Sequence, residues 1–480
     1  MQYLKNYIGG SLREPISGNY FENFCPSTAE AFSLVSDSDE RDVELAVNAA
    51  KKAFSQWSEL PVQKRSDYLM NLAEIIESKL EMLAQAETRD NGKPLWLSRS
   101  VDIPRAVSNF RFFATAILHF SSESHAMEHI ALNYTLRTPI GIAGCISPWN
   151  LPLYLLTWKI APALAAGNCV IAKPSEITPY TAFLLSEICM EAGLPDGVLN
   201  IIHGYGHKAG TALCKHPEIP IISFTGGTHT GKIISESTAP MFKKLSLEMG
   251  GKNPNLIFSD CHFEKAIQSG IFSSFLNQGE ICLCGSRIFI EKNIYERFRD
   301  ELVLKTNQLK TGDPLVAECK LGAIVSKQHL DKIASYVKLA VKEGGKILTG
   351  GNIYKPAGRC EKGWFFEPTI IEGLPVECRT NQEEIFGPVV SLIPFENDEE
   401  AIRFSNSTEY GLSASIWTEN LNRAHTVASK IKAGIIWVNC WLLRDLRTPF
   451  GGMKSSGLGR EGGWESLRFF TESKNVCIKY

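Results

Sequence analysis

The sequence predicts an α/β protein with two parallel-sheet domains and a small extra β segment. Three observations carry this. The chain has 480 residues, more than one hydrophobic core usually holds. Short β-rich runs alternate with helical stretches, the rhythm of parallel strands joined by crossover helices. That rhythm stops at a glycine- and proline-rich interruption and then starts again. Composition is that of a soluble globular chain, 44% hydrophobic and 21% charged, with a formal net charge of -2. No long run of one sign is present, so nothing points to nucleic acid, whose phosphates call for a basic surface.

The first residues, MQYLKNYIGGSLREP, lack the basic stretch and apolar run of a secretory signal. Their glycines read as a turn between strands, and the mature protein is expected to begin near Met1. Residues 40–92 read as helices packed on the first domain. The most apolar stretch, 139–172, has Lys159 as its only charge, but four prolines and several glycines interrupt it. It predicts two buried strands around a helix rather than a membrane span. From Ile140 the runs IGIAGCI, NCVIAKP, VLNIIHG and IPIISFTGG are the strands of the first series, with helical stretches between them. A second series starts near Asn255 with NLIFSD, FEKAIQSGIFSSFLN and SRIFIE, and MGGKNP, 249–254, is the expected boundary. The last segment, FFTESKNVCIKY, is β-like and is expected to pair with an edge, in another subunit.

Thirteen cysteines with no CxxC pair fit reduced thiols in a cytosolic enzyme better than a disulfide scaffold. Three stretches bear on phosphate binding. GYGHKAG, 204–210, has one residue too many for a GxGxxG fingerprint and reads as a tight turn between strand and helix. FTGGTHTG, 224–231, runs from a strand through glycines into a helix, where free N–H groups can meet a pyrophosphate. AKPSE, 172–176, puts Lys173 and Glu176 at another strand end. They can clamp a ribose, the carboxylate repelling a 2′-phosphate, or be merely a solvated strand end.

FLNQGEICLCGSR, 275–287, holds two cysteines one residue apart. As a metal site it lacks flanking ligands; as part of one strand, either cysteine can be core packing. The segment closely resembles the active-site segment of the aldehyde dehydrogenase superfamily, and the resemblance extends over essentially the whole chain. Aligned on Asn277, Gly279 and Arg287, the family nucleophile falls on Cys282. LSLEMGGKNP matches the segment of the family's catalytic glutamate, giving Glu248 as the base, with Glu280 second. SPWNLP gives the oxyanion asparagine as Asn150, with Ser147 and Trp149 on the cofactor side. EEIFGPV gives Glu384 and Phe386 for the nicotinamide ribose. FTGGTHTG gives Gly226, Gly227 and Gly231 for the pyrophosphate, Gly227 standing where many members have serine. AKPSE gives Lys173 and Glu176 for the adenosine ribose.

The resemblance implies an aldehyde dehydrogenase-like fold with two Rossmann-like domains: residues 1–120 and 139–249 binding NAD, 250–462 carrying the nucleophile, and 121–138 with 463–480 as an oligomerisation segment. It implies a cytoplasmic homodimer or homotetramer acting on a small-molecule aldehyde, with NAD as cofactor and with no metal and no membrane partner. Cys282, if ionised, would attack the aldehyde, Asn150 and the Cys282 N–H would hold the oxyanion, hydride would pass to the nicotinamide, and Glu248 would activate water on the thioester. DIPRAVSNFRFFA, 102–114, and CWLLRDLRTPFGG, 440–452, are similar to the muconic semialdehyde dehydrogenases of the 2-aminomuconate and 2-hydroxymuconate 6-semialdehyde types. There Arg105 and Arg444 would grip a distal carboxylate. The competing reading pairs them at the surface with Asp102 and Asp445. Arg111 reads as helix packing, and Arg447 has no assigned role. General aldehydes such as retinal or aromatic and aliphatic aldehydes are the alternative substrates, and an idle structural or binding protein is the alternative of another class.

Overall fold

The computed structural model describes all 480 residues, Met1 to Tyr480. The first large sheet runs in the order Gly457–Leu458, Lys244–Glu248, Ile221–Thr225, Ile142–Ile146, Cys169–Lys173, Leu199–Ile201, Asn6–Ile8, Ser11–Arg13. Its five central strands are parallel. The chain lays down strands from Ile142–Ile146 outward in one direction, then returns past its starting strand to form Ile221–Thr225 and Lys244–Glu248. The order therefore reverses between Ile142–Ile146 and Ile221–Thr225, and a crevice opens beyond their carboxyl ends. Register makes those ends finish level: Ile146 lies opposite Lys173 and Phe224, and Thr225 opposite Glu248.

The 139–172 stretch forms the expected two strands around a helix, Pro152–Ala165. Every residue of that helix is buried, which accounts for apolar character all round it. It packs against the helices Val62–Ser78 and Ile103–Ala116. Its one charge, Lys159, is satisfied by Glu461 at 2.7 Å and Ser223 at 3.2 Å. The stretch from 40 to 91 is helical, in three segments. The first, Glu40–Glu59, buries Val43, Ala46, Val47, Ala50 and Trp57 on one stripe and starts in a capping box of Asp39 and Asp42.

The chain leaves the first sheet after Glu248 and enters the second at Pro254. The second sheet is parallel except for one edge strand, in the order Lys346–Thr349, Thr369–Glu372, Val389–Phe395, Arg287–Glu291, Pro254–Ile257, Ser413–Trp417, Ile435–Val438. GYGHKAG forms a π-helical turn, Gly206–Gly210, that runs into the short helix Thr211–Lys215.

The third sheet supplies the edge that the last segment needs. Thr471–Lys479 finds a partner edge within its own chain, pairing antiparallel over nine residues with Ala131–Pro139, and its outer edge is open. Ala131–Pro139 in turn pairs with Ser124–Met127. No helix is long and apolar enough to cross a membrane.

Candidate active site

Cys282 and Cys284 do not lie on a strand, as their alternation suggested. The helix Phe263–Phe275 gives way to a tight turn in which Asn277 and Gln278 take left-handed backbone (φ 52 and 56) and Gly279 has φ +73. A Cβ on Gly279 would overlap the carbonyl of Gly387, so only glycine lets the two backbones meet. Residues 280–286 are irregular and the strand begins at Arg287. Two groups hold the turn. The Asn253 amide donates to the carbonyls of Cys282 (2.7 Å) and Cys284 (2.9 Å). The buried Arg287 guanidinium donates to the carbonyls of Lys252, Phe404 and Ser405.

Two cavities meet at Cys282. One, of about 480 Å³, is lined by Arg105, Tyr154, Glu248, Arg444 and Phe450 among others; the second, of about 230 Å³, by Trp149, Asn150, Gly226, Gly227, Glu384 and Phe386. Cys282 lines both. Cys284 lines neither and packs with Leu97, Leu276, Ile281 and Leu283.

The larger cavity has two carboxyl groups, Asp102 and Glu248. Asp102 is fully buried and tied to Lys93. Glu248 Oε1 has no hydrogen-bond partner. Burial, followed by the nearby Glu461 carboxylate, pushes the Glu248 carboxyl up to about 8, against Lys159, Arg444 and Arg460. Burial also pushes the Cys282 thiol well up, and Glu248 and Glu384 push the same way, against Arg444. These influences favour the thiol over the thiolate, so the ionisation that the sequence reading made a condition of attack needs a base. Glu280 lies off both cavities: Oε1 accepts the Val325 N–H at 3.2 Å, Oε2 is unpartnered, and burial holds the carboxyl well above its ordinary value.

Asn150 sits in the loop between Ile142–Ile146 and the helix Pro152–Ala165. Its amide donates one hydrogen to the Glu280 carbonyl at 2.9 Å, which fixes the amide plane and leaves the other hydrogen free. The Asn150 main-chain carbonyl accepts from Lys93 (2.9 Å) and Asn277 (3.2 Å). The Cys282 backbone N–H makes no hydrogen bond within the chain. The pair can serve as donors to an oxygen held beside the sulfur.

The smaller cavity brings a glycine loop at a helix start together with a buried carboxylate. The helix Thr228–Thr238 starts at Gly227 with no side-chain cap, so its first N–H groups are free. Thr225 and Thr228 carry buried hydroxyls without partners, and a Cβ on Gly227 would meet only open space. Glu384 accepts the Gly251 N–H at 2.9 Å, and a Cβ on Gly250 would overlap its carboxylate. Burial raises the Glu384 carboxyl, against that amide and the charges of Lys332 and Lys252. Phe386, with φ 63, lies edge-on to Trp149 at 5.2 Å.

Ser147, Lys173, Glu176 and Gly231 stand at the same end of the sheet but outside the cavity lining. The Ser147 N–H donates to the Lys173 carbonyl at 3.1 Å. Lys173 and Glu176 form an ion pair at 3.1 Å. Burial pushes the Glu176 carboxyl up, but Lys173 and the backbone amides of Glu176 and Gly206 together hold it below its ordinary value. Gly231 lies against Met249.

Neither Arg105 nor Arg444 pairs with a carboxylate. Asp102 pairs with Lys93 and Asp445 with Arg447 (2.6 Å). Arg111 is not a packing residue but a surface partner of Glu77, at 3.0 and 2.5 Å. Several lining residues had no sequence signal, His329 and Lys332 among them, because they come from the helix Lys327–Lys342, far along the chain. Tyr154 was nearer to hand, four residues beyond Asn150.

The aldehyde dehydrogenase family description matches residues 13–476. The chain is 50% identical to the 2-aminomuconic semialdehyde dehydrogenase of Danio rerio, the alignment covering 100% of this chain and 99% of that one. It is 42% identical to the 2-hydroxymuconic semialdehyde dehydrogenase of Pseudomonas sp. (strain CF600), with 100% of both chains covered. An NAD+ complex of an aldehyde dehydrogenase from Bacillus cereus superposes with a TM-score of 0.97 at 38% identity, covering 100% of this chain and 97% of that one.

Proposed function

The chain belongs to the aldehyde dehydrogenase family, and from that premise we propose that it oxidises a carboxylate-bearing semialdehyde, 2-aminomuconate or 2-hydroxymuconate 6-semialdehyde, to the dicarboxylic acid with NAD. One observation carries the substrate class: Arg105 and Arg444 line the cavity that ends at Cys282, and neither makes an ion pair with a carboxylate of its own chain. Two cations left unpaired in a partly closed cavity favour an anionic ligand. The likeness to relatives named for the two muconic semialdehydes supports the same reading.

Cys282 attacks the aldehyde carbon. Because its surroundings disfavour the thiolate, a base takes the thiol proton. Glu248 is the carboxyl group available, since Asp102 is committed to Lys93. The charge that develops on the carbonyl oxygen is met by the free Asn150 amide hydrogen and the Cys282 N–H, donors whose loss typically costs on the order of 10²–10³ in rate. The dinucleotide, when bound, supplies the hydride acceptor. A thioester is left on Cys282, and Glu248 activates water to release the acid.

Lys173 and Glu176 are the proposed adenosine-ribose ligands. Gly226, Gly227 and Gly231 would line the pyrophosphate path, and Ser147, Trp149, Glu384 and Phe386 would hold the nicotinamide end. An ionised Glu176 favours NAD over NADP, because a 2′-phosphate would face like charge. Residues 1–120 and 139–249 would form the NAD domain and 250–462 the catalytic domain. Residues 121–138 with 463–480 would join subunits in a homodimer or homotetramer. Thirteen cysteines, all free, fit a cytoplasmic setting.

The test is steady-state kinetics with two matched aldehydes, one ending in carboxylate and one in methyl. Arg105→Ala and Arg444→Ala each remove charge-assisted hydrogen bonds worth about 1.5–3 kcal/mol. The ratio of kcat/KM values, acid over neutral, is expected to fall about tenfold to a hundredfold. Parallel losses on the two substrates would return the enzyme to a general aldehyde dehydrogenase.

A further inference from the structure

Tyr154 lines the same cavity and touches both arginines. Arg444 Nη1 donates to its hydroxyl oxygen at 2.7 Å, and the Arg105 guanidinium lies over its ring, 5.6 Å from the centroid. The other close neighbours of Arg444 are aromatic faces, Phe450 at 3.8 Å and Trp158 at 5.3 Å. These rings attract the cation without offering it an acceptor in the plane of its N–H groups. Tyr154 is thus the one hydrogen-bond acceptor that the chain gives Arg444.

The hydroxyl oxygen is engaged as an acceptor, while its own hydrogen has no acceptor within the chain. A hydroxyl that accepts from a cation becomes a stronger donor, because the two bonds polarise in the same sense. Its position is set in advance. Asn109, one helical turn beyond Arg105 on the helix Ile103–Ala116, donates to the Tyr154 carbonyl at 3.0 Å, and Tyr154 itself is only 6% exposed. One helix therefore carries Arg105 and braces the residue that orients Arg444.

We propose that Tyr154 is a specificity-determining residue: its hydroxyl completes the anion site by donating to a carboxylate of the substrate while it holds the Arg444 fork in register with Arg105. This rests on the acid-bearing substrate read above. The ligand is a carboxylate at the far end of an aldehyde, one oxygen facing the phenol and the other an arginine N–H.

Tyr154→Phe tests it, since it removes the hydroxyl and keeps the ring beneath Arg105. With the same pair of aldehydes, the acid-over-neutral ratio of kcat/KM is expected to fall about tenfold, the size of one charge-assisted hydrogen bond. The change should lie in KM for the acid, because the contact is remote from the reacting carbon and is made equally before and during reaction. Tyr154→Leu, which also takes the ring from Arg105, should lower the ratio further. Arg444→Ala is measured beside them. If that variant changes the ratio and Tyr154→Phe does not, or if Tyr154→Phe slows both aldehydes alike, the role of Tyr154 is overturned and the arginine clamp stands. An unchanged ratio in Arg444→Ala would overturn the clamp and Tyr154's part in it together.

Discussion

At Cys282 burial raises the thiol above its ordinary value, and two carboxyl groups, Glu248 and Glu384, push it the same way. Cys284, two residues on, has the same intrinsic chemistry but is closed into an apolar cluster. Glu248 is the residue on which pH should act. Its carboxyl is pushed up to about 8, so the basic form is scarce below that pH and becomes dominant above it. The hydrolytic step is therefore expected to quicken as pH rises through about 8, and Glu248→Gln should lose that limb. In Glu248→Gln both the attack of Cys282 and the release of the acid lose their base, so NADH formation in a single turnover should slow by about 10²-fold or more, and any acyl adduct seen by peptide mass spectrometry should lie on Cys282 and not on Cys284. An adduct on Cys284 would remove Cys282 from its role, and undiminished NADH formation in Glu248→Gln would remove Glu248 from its own. The motif segments pointed to both residues, but neither the raised thiol nor the raised carboxyl could be read there, since each depends on charges brought from elsewhere in the chain.

The turn 276–286 was the element least legible in the sequence. Two cysteines separated by one leucine look like strand alternation, and what overrides that pattern is a pair of left-handed residues, Asn277 and Gln278, followed by Gly279 packed on the Gly387 carbonyl. Asn253 completes the turn from the far side, bonding two of its carbonyls through one amide and accepting the Ser413 N–H. Asn253→Ala leaves three buried main-chain groups without these partners, each costing about 1–3 kcal/mol when unsatisfied. We expect kcat to fall at least tenfold and the melting temperature to drop by several degrees; unchanged kcat would mean that the turn keeps its shape without the splint. The regular elements were easier. Helical periodicity over 40–91 and the apolar run around Lys159 were readable because each reports burial along its own length.

For the whole molecule, the sheets separate the tasks by position. The carboxyl ends of the first sheet supply Asn150, the glycine loop and Glu248, while the second sheet's leading turn supplies Cys282. The third sheet ends in Thr471–Lys479, a nine-residue strand paired on one side only and mostly exposed. An open edge of that length invites pairing with another chain. Light scattering should therefore give a dimer or tetramer, and deleting residues 472–480 should lower the mass. A monomer's mass for the full chain would show that the edge is tolerated bare.

Local patterns, periodicity and family motifs, were enough for the α/β class, for the alternation of strands and helices, and for the short segments that line the two cavities. The sequence also singled out Arg105 and Arg444. Whether those arginines had partners was decided only in three dimensions, where Lys93 claims Asp102, Arg447 claims Asp445, and Tyr154 is left between them. The partner of the last strand was decided there too: Lys479 lies opposite Ala131, more than three hundred residues back along the chain. Pairing and charge compensation are properties of neighbours in space, and folding chooses those neighbours from everywhere in the chain at once.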